Sequence, residues 1–180
     1  MIKEENSKEI FELLRWEQAV PERDFVIIDF LRALSSNLYQ SIIIVNADIL
    51  YALCALHFKV KKITWYSKQD ILDKFFLAEG HKRLEKPFGA VSPKESDLIV
   101  FSMNEVLASS FPERYLKRML THTKKTAFVL NTLVAFDEKG QAIKSKQHFY
   151  NLIQPHESEW VIFKSCTTHF NGFHEIRRKN

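Results

Sequence analysis

Few side chains in this 180-residue sequence stand in patterns that could do chemistry, and most of them follow short apolar runs. Ile42-Ile43-Ile44-Val45 leads into Asn46-Ala47-Asp48, and Leu98-Ile99-Val100-Phe101 leads into Ser102-Met103-Asn104-Glu105. Val60 to Tyr66 ends in Ser67-Lys68-Gln69-Asp70, and Ala127-Phe128-Val129-Leu130 ends in Asn131. Hydroxyls, amides and carboxylates gathered this way can hydrogen-bond a hydroxylated or nucleoside-like ligand. Glu105 could also take a proton from a reacting hydroxyl. The same residues have a structural use. Asn46 and Ser102 could cap helices, Asp48 could sit in the field of a helix N-terminus, and Glu105 could be an exposed first-turn acid. His122, near a helix end, is either a second base or a cation placed against the helix dipole.

A metal site is not expected. Cys166, His169 and His174 flank Asn171-Gly172, a strong hairpin signal. A two-residue turn there pairs Phe170 with Phe173 and sets His169 opposite His174, which leaves Cys166 on the other face. Cys54 falls in an apolar helix and reads as core. No glycine-rich phosphate loop, nucleophile elbow or spaced zinc ligands occur. Trp65 and Tyr66 could stack a flat ring, with core packing as the competing use.

The elements that must carry these residues alternate. Helical spacing is expected over Ser7 to Ala19, with Pro21 beyond it, and again from Asp24 to Ser36-Asn37. Strands are expected at Ile42–Val45, covered on both faces, at Val60–Tyr66, at Leu98–Phe101, also buried, and at Ala127–Leu130. Between them come a helix over Ile49 to Phe58, a helix capped by Asp70 and closed near Gly80, and a helix opened by Pro112. Residues 86 to 96 read as loop with room for one short strand. Asp137 to Gly140 reads as a turn, Ser145 as the cap of a helix through Leu152, and residues 160 to 178 as a hairpin. The expected fold is α/β, a doubly wound, mostly parallel sheet with helices on both faces and a C-terminal antiparallel hairpin. Residues 1–37 would be N-terminal helices packing on a core of residues 38–180, a single domain overall.

Composition agrees with a globular chain: 46% hydrophobic residues, 15 phenylalanines and only two cysteines. The acidic, polar N-terminus reads as neither signal nor transit peptide, and no apolar run is long enough for a membrane helix, so a cytoplasmic protein is expected. The net charge of +4 permits an anionic partner without requiring one.

This order of elements, over about residues 38 to 178, resembles the Rossmann-like core of S-adenosylmethionine-dependent methyltransferases. The stretches Asp97 to Glu105 with Tyr115-Leu116, and Phe128-Val129-Leu130-Asn131, look like the corresponding strands of sugar O-methyltransferases. The resemblance implies S-adenosylmethionine over Asn46, Ala47 and Asp48, with Ser67, Gln69 and Asp70 near its ribose and Ser102 and Asn104 completing the site. Glu105 and Asn131 would face a small-molecule acceptor. Two positions depart from the family. Its first strand runs into glycines that let backbone approach the cofactor, and none is present here. Its second strand ends in an acid, whereas here Gln69 or Asp70 could serve only with a shifted register. A second reading is therefore a methyltransferase fold without catalysis, serving as scaffold or binding partner of a protein or RNA. A third is an RNA-binding module built on Lys164, Arg177, Arg178 and Lys179.

Overall fold

A run of four aliphatic residues with no polar partner must be covered on both sides, and Ile42, Ile43, Ile44 and Val45 are all buried. Burying each contributes about 1.5–3 kcal/mol against the entropy of ordering the chain. The computed structural model describes residues 24–36, 39–90, 94–130, 132, 134–136, 142–167 and 172–180. The expected helix over Ser7 to Ala19 and the turn at Asp137 to Gly140 lie outside the described residues. The chain forms two compact units, Met1–Ser92 and Pro93–Asn180.

In the first unit, helix α1 (Asp24–Ser35) is followed by β1 (Ser41–Val45), α2 (Ile49–His57) and β2 (Lys62–Tyr66). Helix α3 (Asp73–Glu79) and β3 (Lys82–Leu84) complete it. The three strands are parallel in the order β3-β2-β1, with Ile43 opposite Thr64 and Tyr66 opposite Leu84. Helix α2 is buried along Leu50 to Leu56, so it reads as a nearly continuous apolar run and not as a one-sided stripe. It ends in a paired hydrogen-bond motif: Lys59 N–H donates to Leu56 O and Val60 N–H to Ala55 O, with Lys59 at φ 55°. Gly80 closes α3 at φ 72°, as its position in the sequence implies.

One expectation in this unit needs correction. Asp70 does not cap α3: the helix starts later, at a buried Leu72 with no side-chain cap, and Asp70 offers only its backbone carbonyl to Asp73 N–H. A short strand forms at Lys82–Leu84, ahead of residues 86 to 96, where among the described residues Phe88 makes a single bridge and Ser96 opens the next strand. Phe88, inside that window, packs edge-on against Tyr66 at 5.3 Å between ring centroids.

The second unit runs β4 (Ser96–Ser102), α4 (Met103–Leu107), α5 (Pro112–Thr121) and β5 (Thr123–Leu130). A small hairpin of β6 (Val134–Phe136) and β7 (Ala142–Lys144) precedes α6 (Ser145–Ile153). A 3-10 turn at Gln154–His156 then leads to β8 (Trp160–Thr167) and β9 (Gly172–Arg178). The order is β4-β5-β9-β8, with β4 and β5 parallel and the last two strands antiparallel. This is the α/β architecture expected, mostly parallel with a C-terminal antiparallel hairpin.

The hairpin register differs from expectation. Gly172 pairs with Thr167, Phe173 with Cys166 and His174 with Ser165, so four residues, 168 to 171, link the strands. The expected Phe170–Phe173 and His169–His174 pairs therefore do not form. A register shift between Ile162 and Lys164 bends β8, and burial of Phe173 and Ile176 sets the ladder in place of the Asn-Gly dipeptide.

Three histidines titrate low. Burial lowers His81, offset in part by Glu79, and its Nδ1 accepts the Ile63 N–H at 3.2 Å, which needs the neutral ring. Burial and then Arg118 lower His122, so it is no cation at the helix end as the sequence allowed. Burial also lowers His156. In the unfolded chain these rings take up protons near pH 6.5, before they do in the folded state. Stability is therefore full above that pH and is lost as pH falls through it toward the folded values. The urea midpoint should drop between pH 7.5 and 5.5. His81→Asn, whose side-chain oxygen can accept the same N–H, should drop less; equal slopes would contradict the assignment to His81.

Candidate functional site

In the first unit the carboxyl ends of β1 and β2 lie side by side, because Val45 is opposite Tyr66. Asn46 therefore sits beside Ser67, and its N–H donates to Tyr66 O at 3.3 Å. Asn46 does not cap α2. It adopts φ 44°, the left-handed conformation that L-residues with a Cβ avoid and that short amides tolerate. Glycine takes this conformation without a Cβ penalty, so Asn46 meets a backbone demand that glycine more often meets. Ala47 bridges to Asp48, and Asp48 is the true cap, its Oδ1 accepting Leu50 N–H at 3.0 Å.

At the end of β2, Ser67 Oγ accepts the Gln69 N–H at 3.0 Å, forming a tight polar turn. Gln69 and Asp70 are exposed beyond it. Arg83 of β3 organises this loop, a residue that no motif marks. Its guanidinium grips both carboxylate oxygens of Asp73, reaches Glu85 at 3.0 Å and donates to Ser67 O at 3.3 Å. The hydrogen bond from Arg83 holds the Asp73 carboxyl below its usual range. Trp65 and Tyr66 are both buried, Trp65 against Phe76 and Tyr66 against Phe88, so neither is available to stack a ligand.

In the second unit Ser102 caps α4, its Oγ accepting Asn104 N–H at 3.1 Å. Glu105 follows in the first turn, half-buried, and accepts a 2.6 Å hydrogen bond from Tyr115 O–H. That bond orients the carboxylate. Asn131 lies outside the described residues, next to Leu130, which pairs with Ser102. His174 is buried, with Nδ1 at 2.9 Å from Thr132 Oγ1 and Nε2 at 3.4 Å from Tyr150 Oη. Its ring stacks on Phe149 at 4.2 Å, a packed polar cluster in the core.

The basic tail is occupied by the protein itself. Arg177 binds Glu175 at 2.7 Å and lies 3.3 Å over the Phe163 ring, while Arg178 reaches Glu159. Lys179 donates to Glu157 O, and Lys164 is likewise engaged.

The turn at Asn46 can be tested without any ligand. Asn46→Gly should leave stability unchanged or slightly raised. Asn46→Val should cost about 1–2 kcal/mol through its β-branched side chain at positive φ. Equal unfolding midpoints for the two variants would show that this turn is not left-handed in solution. Asp48→Ala should cost about 1 kcal/mol as the loss of a cap.

No family model matches the sequence, and no curated protein matches it in sequence. Solved structures match in fold. An rRNA methylase from Escherichia coli is 10% identical with a TM-score of 0.62, over 88% of this chain and 64% of the methylase. A Burkholderia thailandensis 1,6-didemethyltoxoflavin-N1-methyltransferase, solved with S-adenosylhomocysteine, is 7% identical with a TM-score of 0.62, over 97% and 87%. Human N-acetylserotonin methyltransferase in complex with S-adenosylmethionine is 13% identical with a TM-score of 0.59, over 97% and 57%. The chain thus spans just under two thirds of the rRNA methylase and over half of the human enzyme. At these identities the likeness is one of fold. With its parallel strands, intervening helices and closing antiparallel hairpin, the chain has the Rossmann-like fold of S-adenosylmethionine-dependent methyltransferases.

Proposed function

We propose that this chain is an S-adenosylmethionine-dependent methyltransferase that O-methylates a sugar or another polar small molecule. The left-handed turn at Asn46 carries the reading, since the resemblance places glycine after the first strand and a short amide at positive φ meets the same backbone demand. The residues fit the cofactor in shape: an exposed turn after a buried strand, a capped helix behind it, and the polar end of a parallel neighbour alongside. In this reading Asn46, Ala47 and Asp48 lie along the cofactor, and Ser67, Gln69 and Asp70 meet its ribose. Asp70 supplies the carboxylate, because Asp73 is held by Arg83.

S-adenosylmethionine supplies an electrophilic methyl group on its sulfonium. The chain's own contribution is orientation, together with acceptance of the hydroxyl proton by Glu105, whose carboxylate Tyr115 holds in place. Ser102 and Asn104 hold the start of α4 and so fix where Glu105 projects. Asn131 is the second residue on the acceptor side. Among the described residues no helix is long and apolar enough to cross a membrane. A cytoplasmic setting suits the buried Cys54, whose thiol burial pushes up to about 12 and so keeps inert.

One observation favours a second reading, a non-catalytic scaffold that binds a protein or RNA partner. The side chains of Asp48, Ser67 and Ser102 each satisfy a backbone N–H of the chain itself. Calorimetric titration with S-adenosylhomocysteine separates the two. Micromolar binding is expected, weakened about tenfold or more in Asp70→Asn, the loss of a hydrogen bond to a charged acceptor. No heat at millimolar ligand would overturn the enzyme reading and leave the scaffold.

A further inference from the structure

Within the second unit a cleft of about 530 Å³ opens between the α4–α5 connection and helix α6. Its volume lies in the range of small-molecule sites, and its walls combine apolar and polar groups. Leu107, Pro112 and Leu152 form the apolar part, and Ser110, His148 and Asn151 carry hydrogen-bonding groups. Phe111 is the unusual member. It is 64% exposed in a protein that buries most of its aromatic rings, yet its backbone is held at both ends. Its N–H donates to Ser109 Oγ at 3.2 Å and its carbonyl accepts Tyr115 N–H at 3.0 Å. The ring is therefore presented from a fixed backbone at the start of α5. The Arg114 guanidinium stands 5.7 Å from its centroid.

We propose that this cleft binds a nucleotide, with its base stacked on Phe111 and its phosphate on Arg114. An exposed aromatic ring on a held backbone, with a guanidinium over one face, leaves the other face to stack a base while the cation meets its phosphate. Asn151 accepts from Gln147 Nε2 through its oxygen, at 2.9 Å, which leaves its amide N–H groups to meet a base edge. Glu113, on the rim, can accept from a ribose hydroxyl and disfavours a ligand that carries only negative charge. Arg114 and Lys117 follow one another along the exposed side of α5, so a phosphate chain leaving the cleft would meet a second cation. The binding stands on these groups alone. Its use as the acceptor pocket, two residues along α4 from Glu105, rests on the methyl-transfer reading above.

The test is titration of the full chain with uridine 5′-monophosphate, uridine and single-stranded hexauridylate, followed by NMR and calorimetry. S-adenosylhomocysteine is titrated in parallel. The monophosphate should bind more tightly than uridine, Phe111→Ala should weaken it on the order of tenfold, and Arg114→Gln should remove the advantage of the phosphate. Both side chains are exposed, and unchanged unfolding midpoints would verify that the variants fold. Hexauridylate binding far more tightly, with steep salt dependence, would identify the source as RNA; equal affinity would identify a free nucleotide. Absence of binding, an unchanged affinity in Phe111→Ala, or displacement by S-adenosylhomocysteine would each overturn the proposal. Nucleotide binding without S-adenosylhomocysteine binding would remove only the methyl-transfer reading, and the reverse would remove only this one.

Discussion

The chain leaves β1 at a point where it has almost no freedom. Val45 is fully buried behind it, and α2, buried from Leu50 to Leu56, begins three residues ahead. Neither element can slide without exposing apolar surface, so the link between them must turn within Asn46, Ala47 and Asp48. Asn46 makes that turn at φ 44°, and Asp48 then satisfies a first-turn donor of the helix. A β-branched residue at 46 would put its strain into two buried elements at once, and a residue without a capping oxygen at 48 would leave a helix donor unmet. The shape at the end of β1 is thus dictated by burial on both sides of it.

The neighbouring loop is held by a different force. After Tyr66 six residues, 67 to 72, lead to α3, and no apolar residue before Leu72 anchors them. Arg83 does so instead, by binding the Asp73 carboxylate, the Ser67 carbonyl and Glu85 together. Its side chain is only 13% exposed, while the Asp73 carboxylate is 37% exposed and shared with water. The division of labour among the acids follows. Asp73 is committed to Arg83, while Asp70 stays exposed at the turn that Ser67 closes.

Much of this was legible in the sequence where burial alone decides. The runs at Ile42, at Leu98 and at Ala127 could only be strands covered on both faces, and Pro112 marked the start of α5. Three-residue strands such as Lys82–Leu84 and Val134–Phe136 carry too little periodicity to be seen. The hairpin register failed because the Asn-Gly signal is local, whereas the pairing is set by which face of β9 meets β5 and by the irregularity near Phe163. At the strand ends the residues were found but their roles were exchanged. Asp48, not Asn46, is the cap, and the mark of a left-handed turn, a short amide directly after a buried run, was there to be read. The cleft at Phe111 was out of reach, since its walls meet only when α5 packs on α6, over thirty residues later in the chain.

The overlap between capping and ligand binding at these strand ends has a physical origin. In an open α/β fold the carboxyl end of a strand is where the next helix begins, and both a ligand and a helix start ask for small oxygen-bearing side chains there. Asp48 and Ser102 answer the helix, as their 3.0 and 3.1 Å bonds to backbone N–H groups show, and an identical residue in an inert protein would do the same. Residue type at those positions therefore carries little information about function. Backbone conformation carries more, because capping does not require a left-handed residue two positions before the cap. Burial on both sides demands a turn at Asn46, and helix capping at Asp48 does not by itself demand that it be left-handed.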